Sequence, residues 1–158
     1  TCADVPADAS ALLAIAGFTI MNDWSARDLQ RREMRLGLGP SKGKDFATSL
    51  GPVLVTPDEI ADFASGRPSG AMVARVNGVE WSRGELADIH HSWPALVSHA
   101  SRSTVLRPGD VIGSGTVGTG CILELAAVHG GDAYPWLRPG DEVELEVAGL
   151  GVLRNAIV

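Results

Sequence analysis

The sequence predicts a β-rich α+β domain, and three observations carry that prediction. Apolar runs are short and repeatedly broken by glycine, 19 of 158 residues, the punctuation of strands joined by tight turns. Asn77-Gly78 separates two strand-like runs, Ala71 to Val76 and Val79 to Ser82, and Asn-Gly is the strongest short hairpin signal. A few stretches show helical spacing instead. The clearest is Trp93 to Ser101, where Trp93, Leu96, Val97 and Ala100 share a face, with Ser92 ahead and Pro94 in the first turn.

The elements follow in order. Ala9 to Ala16 reads as a helix, with Pro6 and Asp8 ahead of it and Gly17 as its C-cap. Gly17 to Trp24 reads as a buried strand because Phe-Thr-Ile-Met is bulky and partly β-branched. A second helix is expected from Ala26 to Met34, capped by Ser25, with Asp28 in the capping-box position. Leu36 to Lys44 holds three glycines and a proline and is a loop. Val53 to Thr56 reads as a strand stopped by Pro57. Val111-Ile112, Cys121 to Val128, Glu142 to Val147 and Gly151 to Val158 complete the strands, with Cys121 to Val128 expected at the centre. The pentapeptide Leu-Arg-Pro-Gly-Asp occurs at 106–110 and again at 137–141. Pro-Gly sets a type II turn, so the repeat reads as turn chemistry rather than a duplicated domain.

Nothing divides the 158 residues, which suit one domain with a hydrophobic core of its own. The formal charge of −6 repels nucleic acid and anionic membranes, and no apolar run is long enough to span a bilayer. Thr1 to Ser10 lacks the basic and apolar regions of a secretory signal. Cys2 and Cys121 have no metal spacing. Cys121 is expected as a buried free thiol, and a reducing cytoplasm is the expected setting. Arg27, Arg31, Arg32 and Arg35 are the one basic cluster, either a solvated helix face or an anion site.

Three segments carry chemistry. In Asn22 to Gln30 a strand ends at Asp23 and a helix begins at once. Such an acid can face a pocket where the helix N-terminus favours an anion; it can equally cap the helix and pair with Arg27. Arg27, Gln30 and Met34 fall on one helical face. Gly39 to Thr48 resembles a phosphate loop only superficially, since Gly39 and Gly43 are too close and Asp45 follows Lys44. Lys44 can place an ammonium beside a carboxylate or enolate, or it is a surface lysine. Gly113 to Gly120 holds four glycines that let backbone approach a ligand. Glu124 follows on the expected strand, half-buried on the face of Ile122 and Ala126, as an active-site carboxylate or one half of a buried ion pair. His90-His91 is read as structural or exposed, because adjacent residues rarely converge on one ion.

These three segments, NDWSARDLQ, GPSKGKDFATS and GSGTVGTGCILEL, resemble blocks of the fumarylacetoacetate hydrolase family, in order, and the likeness continues through YPWLRPGDEVELEVAGLGVLRN. The resemblance implies a mixed β-roll with flanking helices, a homodimer, and a magnesium or manganese ion, with calcium as a further possibility. Its implied chemistry is hydrolytic C–C cleavage of a small β-dicarbonyl acid such as an acylpyruvate or fumarylacetoacetate. Oxo-acid decarboxylation or isomerisation, or a non-catalytic truncated module, is the alternative. On the matching positions it implies that Asp23 binds the metal, that Lys44 and Thr48 stand beside it, and that Gln30 and Thr116 contact substrate. Arg27 is expected to grip a substrate carboxylate. Met34 stands where a family member has tyrosine, and Glu124 where a glutamate orients a catalytic histidine. The family's Glu-x-Glu metal ligands and that histidine precede the segment matched by Thr1 to Ala16. The chain therefore reads as a catalytic-type domain, 1–158, lacking its N-terminal part.

Overall fold

Asn77 and Gly78 take left-handed φ angles of 51° and 77°, as a two-residue hairpin turn requires, and the runs on either side pair antiparallel. The computed structural model describes residues 1–158. In chain order its elements are β1 (Cys2–Ala3), β2 (Phe18–Asp23), α1 (Arg27–Glu33), β3 (Thr48–Val55), β4 (Ala71–Val76), β5 (Val79–Glu85), α2 (Trp93–Ser101), β6 (Val105–Leu106), α3 (Ile122–His129), β7 (Glu142–Val147) and β8 (Gly151–Ala156). The main sheet is antiparallel in the order β5-β4-β7-β8, and β2-β3 and β1-β6 form separate pairs.

Alternation explains how the sheet faces its core. Val143 and Val147 of β7 are buried. Glu144 and Glu146, alternating with them, pair across strands with Arg154 and Arg75. Ile20, Val147, Leu150 and Leu153 form the central cluster, which seats the β2-β3 pair on the β7-β8 side of the sheet. Phe18 extends it edge-on to Phe63 and Trp93, with ring centroids 5.7 and 5.0 Å away. Helix α2 forms as its sequence predicts, with Ser92 accepting from the Ala95 amide and Val97 buried.

The core is nevertheless small. The accessible surface is 9632 Å² for 16.5 kDa, against roughly 7,600 Å² for a compact monomer of that mass. Leu38, Phe46 and Leu54 are among the large apolar side chains left in solvent. No helix is long and apolar enough to cross a membrane.

Several expected elements differ. Cys121 to Val128 is not a central strand: Ile122–His129 is helix α3, ended by Gly130 at φ 93°. Leu, Glu and Ala are strong helix formers, and a short apolar run does not by its length distinguish helix from buried strand. On that helix Glu124 lies in the first turn and is exposed, where the helix dipole favours an acid; the half-buried placement is overturned. Cys121 is a free thiol but is partly exposed. Val111-Ile112 forms no strand. The first helix is a 3-10 segment, Ala9–Ala14, capped by Asp8. Strand β3 begins five residues earlier than expected and runs through Gly51-Pro52. The two Leu-Arg-Pro-Gly-Asp segments form the same turn: Asp110 and Asp141 each accept from the amide of the arginine three residues back, at 2.8 and 2.7 Å.

Candidate active site

The site is assembled where β2 hands over to α1. Asp23 ends β2 and stands directly opposite Thr48, the first residue of β3. The linking residues are pinned by Trp24, whose Nε1 donates to Ser49 Oγ at 2.8 Å. Ser25 does not cap α1, since its hydroxyl donates instead to the Asp23 carbonyl at 3.1 Å. Ala26 occupies the cap position without a side-chain bond. Its amide donates to the Gly43 carbonyl at 2.9 Å, tying α1 to the glycine-rich loop.

That tie brings the first two segments together. Lys44 Nζ donates to Asp23 Oδ2 at 2.8 Å, across 21 residues of sequence. Asp23 thus neither caps α1 nor pairs with Arg27. The Arg27 guanidinium donates to Gln30 Oε1 at 2.6 Å, one turn along the helix. The loop's other tether is Glu33, a residue absent from the sequence-based candidates, whose carboxylate accepts from the amides of Ser41, Lys42 and Gly43. These donors, Ser41 foremost, hold its carboxyl below the usual carboxylate range.

Asp23, Arg27, Arg31, Lys44 and Thr116 all line one cleft of about 1200 Å³ with a mostly apolar wall. Gln30, Met34, Thr48 and Glu124 are not among its lining residues. Met34 is exposed in the 3-10 turn after α1, and Glu124 is exposed on α3. Of the basic cluster, Arg27 and Arg31 line the cleft and Arg32 and Arg35 do not; all but Arg27 are exposed. His90 and His91 stack edge-on at 4.6 Å and are exposed.

The donor set does not by itself fit a metal. No group of three or more His, Cys, Asp or Glu side chains is close enough to hold an ion. A hard divalent cation takes six or more oxygen ligands, and Asp23 already accepts from Lys44 through one of its two oxygens.

The sequence profile described as fumarylacetoacetate (FAA) hydrolase C-terminal matches residues 1–158. The chain belongs to the fumarylacetoacetate hydrolase family. It is 34% identical over 145 residues to the oxaloacetate tautomerase YisK of Bacillus subtilis, covering 90% of this chain and 43% of that protein. It is 33% identical over 152 residues to the 4-hydroxyphenylacetate degradation bifunctional isomerase/decarboxylase of Salmonella dublin, covering 96% and 31%. Among solved structures, the fumarylpyruvate hydrolase of Pseudomonas aeruginosa, in complex with Mn2+ and pyruvate, superimposes with a TM-score of 0.76 at 27% identity, covering 99% of this chain and 59% of that one. The family resemblance and the mixed α+β fold are thereby established. The chain spans less than half the length of both curated relatives.

Proposed function

We propose that this chain forms one wall of the active site of an enzyme acting on small anionic oxo-acids. One observation carries the reading: the Lys44 ammonium stands 2.8 Å from Asp23 at a cleft that Arg27 and Arg31 also line. Arg27, Arg31, Lys44 and Arg75 balance Asp23, Asp28, Glu59 and Glu146 along the cleft. It is thus locally neutral in a chain of net −6, and its cations suit a substrate carboxylate. Lys44 then places positive charge where an enolate oxygen develops. Arg27, steadied by Gln30, holds the carboxylate, and Thr116 on its glycine-rich loop offers a hydroxyl to the far end. Within these residues Asp23 is a lone carboxylate. A magnesium or manganese ion therefore belongs to the proposal only with further oxygen ligands from outside them.

Enolate stabilisation is common to two reactions. In hydrolytic cleavage of a 2,4-dioxo acid, water adds to the distal carbonyl, the C–C bond breaks, and its electron pair leaves as the enolate of a 2-oxo acid. In decarboxylation of a smaller oxo-acid a 2-oxo acid enolate forms by loss of carbon dioxide, and in tautomerisation loss of a proton gives an enolate that keeps every carbon of the acid. The names of the bacterial relatives favour this second reading as much as the hydrolase neighbour favours the first. Glu124 does not line the cleft; the role left to it is to orient a histidine supplied from outside these residues. Assembly as a homodimer in the cytoplasm belongs to the same proposal.

The test is a substrate panel on protein carrying this chain within its full length, supplied with magnesium or manganese. Acylpyruvates, oxaloacetate and longer dienoates are followed by loss of enol absorbance. Turnover of at least one oxo-acid supports the reading. Turnover of a simple ester or phosphate, with every oxo-acid inert, contradicts it.

A further inference from the structure

We propose that Glu33 is a positioning residue for Lys44, acting through the backbone of the loop between them. Glu33 Oε2 accepts from the amides of Ser41 at 2.8 Å and Gly43 at 3.1 Å, and Oε1 accepts from Lys42 at 2.7 Å. Three consecutive N–H groups thus converge on one carboxylate, the concave arrangement that successive backbone donors offer an anion. The loop is held from its other side as well. The Gly43 carbonyl accepts from Ala26, and Gly43 is buried so closely against α1 that a Cβ there would lie 2.9 Å from the Gln30 nitrogen. Within the loop, the Lys44 and Asp45 amides both donate to the Ser41 carbonyl at 2.9 Å.

Lys44 is the next residue after this clamp. Its backbone is fixed on both sides before its side chain reaches Asp23, so little remains but the side-chain torsions. Lys42 lies within the clamp, yet its side chain points outward and is 76% exposed, against 27% for Lys44. Glu33 makes no direct salt bridge, and its charge is felt at Lys42 only as a minor contribution beside Asp45; its hydrogen bonds all go to the loop backbone. That Lys44 matters for chemistry rests on the function proposed above. The clamp does not.

Lys42 and Lys44 are the two lysines of these 158 residues, so lysine acylation read site by site by mass spectrometry compares them within one loop. Each lysine holds one ion pair, Lys42 with Asp45 at 2.7 Å and Lys44 with Asp23 at 2.8 Å. The difference in burial therefore sets the expectation that Lys44 reacts about fivefold more slowly than Lys42 in the unaltered chain. Glu33→Gln keeps the shape but offers one acceptor oxygen and turns an NH₂ toward backbone donors. Its Lys44 rate should rise to within about twofold of Lys42. Asp23→Asn should speed Lys44 while leaving amide exchange at 41–43 slow, which separates the ion pair from the clamp. An unchanged, slow Lys44 in a Glu33→Gln protein with native circular dichroism overturns the proposal. Should that variant not fold, hydrogen exchange on the unaltered chain decides. Protection of the Ser41, Lys42 and Gly43 amides by at least about tenfold supports the clamp, and exchange at free-peptide rates overturns it. Neither readout uses substrate or metal. Loss of Lys44 protection with full turnover would therefore count against Lys44's role, not against the clamp.

Discussion

A Cβ on Gly43 would sit 2.9 Å from the backbone nitrogen of Gln30 and 3.1 Å from its Cα; the loop and α1 touch backbone to backbone. Backbone atoms cannot rotate away, so Gly43→Ala should cost about 1–3 kcal/mol. Gly113 is the natural comparison. A Cβ there meets the Met21 terminal methyl at 2.5 Å, the far end of a flexible side chain, so Gly113→Ala should cost under about 1 kcal/mol. Urea midpoints of the two variants check the ordering, and a Gly113 variant at least as damaged as the Gly43 variant would show that the close approach has been misread.

The central cluster gives a second expectation. Ile20 is 4% exposed and packs with Val147, Leu150 and Leu153 at the join between the β2-β3 pair and the main sheet. Ile20→Ala should cost about 2–5 kcal/mol and Ile20→Val about 0.5–1.5 kcal/mol. With so small a core, the larger loss should abolish the cooperative melt seen by circular dichroism. A melt unchanged by Ile20→Ala would place the core elsewhere.

Acid should loosen both the site loop and the turn before β7. The carboxyls of Glu33 and Asp141 are held below their ordinary values of 4.5 and 3.8. The Ser41 amide is the chief cause for Glu33, and the Asn77 side chain for Asp141. A depressed folded pKa means that the unfolded chain binds more protons over that window, so stability falls as pH falls. The contribution is complete above pH 4.5 for Glu33 and is lost progressively below it, as pH drops through the folded value. Both groups are only partly buried, and solvent screening limits the size of the effect. Urea midpoints should decline across this range, and less steeply in Glu33→Gln. A midpoint flat from about pH 5 to about pH 3 would contradict this.

Much of this fold was legible because local signals agreed with tertiary packing. Asn77-Gly78 fixed one hairpin, alternating Val and Glu marked β7, and Ser92 with Pro94 marked the start of α2. Cys121 to Val128 misled because seven apolar or small residues around a single glutamate, without strong alternation, suit either a strand or a helix. The early part of β3 was missed because Gly51-Pro52 interrupts its pattern. At the site, the separate blocks around Asp23 and Lys44 pointed to a shared centre, and the two side chains do meet. Glu33 left no mark in the sequence, since a carboxylate that binds amides eight to ten residues away has no periodic signature. For Glu124 the expected strand failed and with it the half-buried placement, while its role beside a histidine rests on the family resemblance alone.

The central claim is that Lys44, held against Asp23, stabilises an enolate. Its most direct test is kcat for Lys44→Met in protein carrying this chain within its full length, on an oxo-acid that the unaltered protein turns over, with manganese present. Removing one preorganised donor to a developing oxyanion costs about 10²–10³ in kcat, and KM should change far less. A kcat within about twofold of the unaltered protein would contradict the account.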